Sequence, residues 1–537
     1  MISTSKEWQG LQKEVLLPEM FIEITYGVTE PWLHDEAVVS ATKPEEYSNV
    51  EQIISRLNKY SDKYATLDYG CWGLNGDYLY FDGEPYDPGY IYSEYSEPDG
   101  VFYEQPEITI DFENRHTVVV PGITITWSDA FGGWATDFKI TVSNSGGELA
   151  SKTVTGNTSV SCHVDIDLID YSQIKIEILK WSHPYQRARC IDLMLGATVV
   201  YTKDDLLGFS HKQSSDLLSA TLPENNIVFK LRNDDGRWNP DSPTGMEKYL
   251  LEQQELSVRY GMDVNGVTEW IPGGTFWLSE WETPSNGLEV DFTAKSALCF
   301  MTSVYTGTRV GTLYEIATAA FEQANIPLRG DGSRRYFVDE SLKTITTDLS
   351  NDTTEYIISE ILQMVAHAGN CVFYQNRDGV VCIEPWKQTY SGYVIDSNIS
   401  YSHPEYTFNK PLKNVSVGYG SENNTIELPY NSSGEIQTVN NPMIRTEEDA
   451  VRVGENTISV LKNRKVVTGK FRSDLRMDAL DNVVVVSKYA TTVVGITEVD
   501  CSTTGGAFSC KYKGRVVSIN LEPVKVYSDE FYSSEIW

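Results

Sequence analysis

Asn233, Asp234 and Asp235 run directly into Gly236, and oxygen-bearing side chains ahead of a glycine are the raw material of a calcium loop. A loop of the EF-hand kind spaces its ligands at alternate positions and closes on a bidentate glutamate. Here the ligands are consecutive and the closing glutamate is missing. The stretch follows an alternating run, NIVFKL at 226–231, and carries Trp238 two residues after the glycine. It is expected to be a tight turn with an aromatic anchor, and no metal is assigned to it.

Other chemistry is sparse. The nucleophile elbow G-x-S-x-G, the P-loop, the zinc pattern H-E-x-x-H and the dinucleotide pattern G-x-G-x-x-G do not occur. The seven histidines include no i,i+4 pair, and His367, in a helical stretch, is read as partly buried packing rather than a base. Carboxylates are plentiful, but a glycosidase pair is defined by its separation in space, which spacing along the chain does not give. No catalytic residue and no cofactor is therefore assigned. The eight cysteines form no C-x-x-C pair and sit mostly in apolar runs, so they are read as buried thiols rather than a zinc site or a disulfide framework.

Aromatic side chains offer a different chemistry, stacking on the apolar face of a sugar. Trp72, Tyr86, Tyr90, Tyr92 and Tyr95 are the candidate platforms for a glycan or a partner. Four of them lie in YLYFDGEPYDPGYIYSEY (78–95), where Gly83, Pro85, Pro88 and Gly89 break up any continuous strand. That stretch is expected to be a long exposed loop or loose hairpin, covered in an assembly by a partner subunit or a sugar.

The elements that must position these residues read mainly as strands. ITIDF (108–112), GITITW (122–127), QIKIEIL (173–179), LSVRYG (256–261) and LEVDFTA (288–294) alternate with period two. Asn-Gly or Asp-Gly pairs recur between such runs, and they tolerate the positive φ of tight hairpins. Helical periodicity appears at 311–328, at 352–369 with Asp352 and Glu355 at capping-box spacing, and from Thr446 to about Leu461. The chain is too long for one core. It divides into an arm (1–18), an acidic β domain (19–197), a β unit (198–305), a helix pair with a hairpin (306–390) and a further β unit (391–537).

The net charge is −33, and residues 1–114 hold 23 Asp/Glu against 6 Lys/Arg. Such a surface repels nucleic-acid phosphates and anionic lipid. No apolar run approaches the roughly 20 residues that cross a bilayer. The first residues carry charges where a signal peptide needs an apolar stretch, so synthesis in the cytoplasm without such export is expected.

From 204 onward the order of motifs resembles phage tail hub proteins. The turn NDDGRWN, the strand LSVRYG, the hairpin GGTFWLSEW and the AKSAL turn of helix follow one another as in that family's first barrel. NRDGVVCIEP (376–385) matches its middle hairpin, and DALDNVVVVSKY (478–489) with GITEVDCSTTGGAFSCKYKGRVVSI (495–519) is similar to its second barrel. Leu480-Asp481 stands where that family commonly has Gly-Asp. The resemblance covers about 330 residues. Upstream, KYATLDYGCWGLNG (63–76), PEITIDF, GITITW and IKIEILKWSHPYQRARCIDLMLG (174–196) resemble a discoidin-type, galactose-binding-like jelly roll, with Asp192 in the place of that fold's acid.

These resemblances imply a mainly β, multidomain chain: an N-terminal jelly-roll β-sandwich, then two hub barrels with a small α/β unit between them. They imply a structural baseplate hub or tail-tip protein, not an enzyme, of a tailed bacteriophage, prophage or tail-like particle. It would sit at the virion tail tip and join the tail tube to it, supporting host attachment and DNA release. The implied partners are two further copies of the chain, the distal tail and tail-tube proteins, and receptor-binding proteins or cell-wall glycan. DNA would pass without specific binding. A glycan-reading receptor-binding protein is the alternative, and a tail-associated cell-wall hydrolase a more distant one.

Overall fold

The computed structural model describes residues 2–517 apart from 13, 15–17, 30–32, 55–65, 72–86, 118, 129–130, 240–245, 247–248, 284–286, 330–332, 389–390, 421–423, 489 and 505–506. The protein is mainly β and multidomain, organised around one sheet of 13 strands among the described residues. Seven strands make its first half, in the spatial order Ala197–Tyr201, Met20–Val28, Glu255–Val264, Val267–Glu282, Glu289–Lys295, Glu224–Arg232 and Leu206–Ser214.

Their alternation explains the curl. Ile22, Ile24, Tyr26 and Val28 point inward from one strand, and Leu256, Val258, Tyr260 and Met262 from the next. These side chains share one core with Phe229 and Phe292, whose rings stack at 5.1 Å. Tyr201, on the outermost strand, comes back to 6.4 Å from Phe229, five places away in the sheet, so the half-sheet closes on itself as a barrel.

The second half curls in the same way. Thr491–Thr504 pairs with Ala507–Val516, which pairs with Lys465–Phe471 and then Glu405–Phe408, while Asn482–Val486 and Val394–Ile395 extend the other side. Their core holds Val467, Phe471, Val483, Val494, Ile496 and Tyr512. Backbone bonding of Ser400 with Phe471 and of Tyr401 N–H with Lys470 O closes this barrel. The barrels meet at a seam where Leu206–Ser214 pairs antiparallel with Thr491–Thr504, from Phe209 opposite Thr503 to Ser214 opposite Glu498.

Insertions between paired strands carry the rest of the chain. Met20–Val28 pairs with Ala197–Tyr201, so the strand at 20–28 belongs to the first barrel and the expected domain start at 19 is corrected. The sandwich inserted between them has a five-stranded sheet (Ala37–Ala41, Glu107–His116, Tyr171–Trp181, Ala135–Asn144, Gly147–Val154). It faces a four-stranded one (Ser161–Leu168, Val120–Trp127, Arg187–Leu195, Tyr90–Tyr95). Both sheets feed one core, in which Trp127 meets Phe138 at 5.3 Å and Trp181 at 6.1 Å.

Glu405–Phe408 likewise pairs with Lys465–Phe471 around an insertion. That insertion is the sheet of Leu412–Tyr419, Asn424–Pro429 and Glu435–Asn440 under the helix Glu447–Leu461. Among the described residues, the chain from Val394 to Val516 is thus a barrel with an α/β insert. The insert shares a core with the preceding unit, Val415, Val417 and Val453 packing with Ile361, Leu362 and Val365.

Two further expectations are corrected. The second long helix runs Ile358–Ala368 and is capped by Glu360, whose Oε2 accepts the Ile357 N–H. Asp352 instead accepts from Thr354 N–H and Tyr356 O–H. Trp8, on the short helix Lys6–Leu11 of the N-terminal arm, is fully buried against the first barrel. Cys501 and Cys510 form a disulfide, since pairing places them directly opposite each other with Cα atoms 4.2 Å apart. The other six cysteines are not in disulfides among the described residues. Among the described residues no helix is long and apolar enough to cross a membrane.

Candidate functional site

Asn233 is buried and organises the turn that opened the sequence analysis. Its Oδ1 accepts the Trp238 N–H at 3.1 Å, and its Nδ2 donates to Asn239 Oδ1 and Gly287 O, both at 2.9 Å. The two acids face arginines: Asp235 pairs with Arg237 at 2.6 Å and Asp234 with Arg232 at 3.7 Å. Gly236 sits at φ +69, and Trp238 packs edge-on to Phe292 at 5.3 Å. The side-chain oxygens are spent on backbone N–H groups and guanidinium groups, which is the chemistry of a structural turn.

The aromatic candidates divide. Trp72 and Tyr86 lie outside the described residues, as does 78–86 of the expected loop. Tyr90 and Tyr92 lie in the strand Tyr90–Tyr95 and are buried in the sandwich core, so the expectation that they are exposed is corrected. Tyr90 O–H donates to Thr42 O at 2.6 Å and Tyr92 O–H to Glu104 O at 2.9 Å. Burial pushes the Tyr92 phenol up to about 12.

Tyr95, where the strand leaves the core, is 37% exposed, and the Arg187 guanidinium lies 4.6 Å from its ring centre. Arg187 is held by Glu45 at 2.9 Å and by the wholly buried Asp68, which also pairs with Arg189. Beside them Tyr69 (69% exposed) and Tyr185 (50% exposed) meet edge to face at 6.4 Å. Neither tyrosine is among the candidates read from the sequence. Each stands beside a turn former, Gly70 or Pro184, which marks an exposed loop, but only the fold brings the two loops together.

The most heavily bonded polar site lies where both barrels and the middle unit meet. The hairpin Cys371–Gln375 with Val381–Pro385 ends in the turn Asn376-Arg377-Asp378-Gly379, where Asn376 Oδ1 accepts the N–H groups of Asp378 and Val380, each at 3.0 Å. Gly379 has φ +73, and a Cβ there would come within 2.8 Å of Thr275, so the turn packs flush on the first barrel only with glycine.

Arg377 then reaches all three units. Nη1 donates to Pro272 O of the first barrel at 2.7 Å, and Nη2 donates to Leu475 O of the second at 2.6 Å. Nε donates to both carboxylate oxygens of Asp478, at 2.8 and 3.0 Å. Gln213, on the seam strand, donates to the same carboxylate at 3.1 Å.

Supporting contacts are as specific. Arg335 Nη2 donates to both carboxylate oxygens of Glu255, at 2.9 and 2.8 Å, and Gln375 Nε2 donates to Thr275 O at 2.8 Å. His211 is buried between Tyr260 O–H at 2.8 Å and Asn225 Oδ1 at 2.9 Å. Burial lowers it to about 4, with the nearby Arg377 acting in the same direction, so it is neutral at pH 7. A cleft of about 610 Å³ opens beside this network, lined in part by Tyr374, Glu384 and Trp386. Leu480 on its wall holds φ +73, the left-handed conformation that glycine adopts most easily.

No family model matches the chain, and no curated protein sequence matches it. Among solved structures it is similar to the 43 kDa tail protein of prophage MuSo2 from Shewanella oneidensis, at 12% identity and TM-score 0.40 over 59% of this chain and 94% of that one. It is also similar to the tail protein from Neisseria meningitidis MC58, at 8% identity and TM-score 0.43 over 60% and 93%. The family 32 CBM of C. perfringens NanJ, solved with galactose, matches 33% of this chain and 99% of its own at 16% identity and TM-score 0.20.

Proposed function

We propose that the chain is a structural hub of the tail tip of a tailed bacteriophage, prophage or tail-like particle, with three copies ringing the tail axis. The observation that carries this reading is the seam. Two barrels are fused edge to edge through Leu206–Ser214 and Thr491–Thr504, and Arg377 ties both to the α/β unit between them. Such a block transmits force without a hinge at the seam, and three copies present six barrels as a pseudo-sixfold collar. The role is mechanical: the collar would join the tail-tube proteins to the tip and open for DNA. The acidic surface favours passage of a phosphate backbone over its retention. Immunogold labelling of intact particles tests the position. Gold at the tail tip is expected, and gold on the head or along the tail would contradict the proposal.

A second reading attaches to the sandwich, inserted between Met20–Val28 and Ala197–Tyr201. Tyr95, Tyr69 and Tyr185 offer exposed ring faces beside the buried Arg189–Asp68 pair, a chemistry suited to cell-wall glycan. Adsorption of particles carrying Tyr69→Ala with Tyr185→Ala is the test. Normal assembly with poor adsorption supports glycan binding, and normal adsorption removes it.

A further inference from the structure

The disulfide lies at the contact between the barrels rather than at a surface loop. Cys501 on Thr491–Thr504 is opposite His211 of the first barrel on one side and Cys510 on the other. Phe508 is two residues from Cys510 on the same strand, so both side chains leave the sheet on the same face. Cys510 packs into the second barrel's core, while Phe508 packs into the first barrel's core and meets Tyr260 edge-on at 6.4 Å. One hairpin end thus plugs one barrel and belongs to the other, and the sulfur bridge sits at the crossing point.

We propose that Cys501 and Cys510 form a redox-set clamp that governs how firmly the two barrels are coupled. As a dithiol, the hairpin holds Phe508 in the first barrel by strand pairing and packing alone. Oxidation needs a low-molecular-weight disulfide as acceptor. One cysteine thiolate attacks it and releases a thiol, and the second cysteine attacks the mixed disulfide and releases another. Two cysteine thiols lose two electrons and two protons, and the acceptor is reduced to two thiols. The bond then holds the strands in register beside Phe508. Both cysteines are buried, so exchange proceeds through opening of the hairpin.

The test uses the full chain incubated with glutathione disulfide or with dithiothreitol. Thiol titration in denaturant is expected to give two fewer thiols after oxidation than after reduction. Equal counts would overturn the proposal. Native hydrogen exchange then reads the coupling: amides of Glu255–Val264 should exchange about tenfold faster in the reduced protein. Phe508→Ala should remove that difference while leaving the thiol counts unchanged. Exchange at 255–264 that ignores redox state in the wild type would overturn the clamp, even if the disulfide forms. Comparing redox states of one sequence avoids reliance on cysteine variants that fail to fold.

Discussion

Arg377 Nε lies 2.8 and 3.0 Å from the two carboxylate oxygens of Asp478, at the point where two barrels and an α/β unit meet. The arginine comes from the tip of a short hairpin and the aspartate from the approach to a barrel strand. Their pairing ties the α/β unit to the two barrels that the continuous sheet already joins.

Removing one partner of such a pair leaves the other desolvated and unmatched. Arg377→Ala is expected to cost about 3–5 kcal/mol, because carbonyls of both barrels lose their donor together with Asp478. Arg377→Lys should recover only part of this, since a single ammonium cannot replace three diverging donor sites. Urea unfolding of the full chain, followed by tryptophan fluorescence, measures both. An unchanged transition in Arg377→Ala would show that the junction is held by packing alone.

His211 gives the junction a pH dependence of known sign. Its folded value of about 4 lies below the usual 6.5, so between these pH values the unfolded chain binds a proton that the folded chain does not. Stability therefore falls as pH drops from about 6.5 towards 4, by at most about 3 kcal/mol from this group. His211→Gln should flatten that part of the profile. An identical slope in the variant would assign the effect to other groups.

The turn at 233–238 should respond to loss of its organiser and ignore calcium. Asn233→Ala removes three hydrogen bonds from a buried site and is expected to cost about 1–3 kcal/mol. Asp234→Ala and Asp235→Ala should change little, and melting curves with calcium or chelator should coincide for all three and for wild type. A calcium-dependent rise in wild type that is lost in both aspartate variants would restore the metal loop.

Within the sandwich, neighbouring tyrosines should behave differently. Tyr92→Ala empties a core position and is expected to cost about 3–5 kcal/mol, with assembly failing as a consequence. Tyr95→Ala should leave stability within about 0.5 kcal/mol. Melting curves of the two variants check this, and equal losses would mean that the strand's burial pattern is misassigned.

What was legible in the sequence follows the range of the interactions. Helices such as Leu313–Ala324 and Glu447–Leu461 declare themselves in local periodicity, as do alternating strands such as Glu255–Val264. The fold class followed from those patterns together with turn spacing and family resemblance. Long-range pairing did not. Nothing near residue 20 announces that Ile24 pairs with Tyr201, and strands close in space but far apart in sequence hide the insertion of the sandwich. Tyr90 and Tyr92 were obscured by Pro88 and Gly89, yet Pro88 itself pairs with Asn49 and does not forbid the strand that follows. Cys501 and Cys510 become partners only through register, which the masking of spacing by an intervening turn leaves unreadable.

The central claim is that three two-barrel blocks form one ring, and the most direct measurement is absolute mass by light scattering, on the purified chain and on its complex with tail-tube protein. The account predicts a species of three times the 60.4 kDa chain mass, either in isolation or once tube protein is added. A strict monomer in both settings would contradict it.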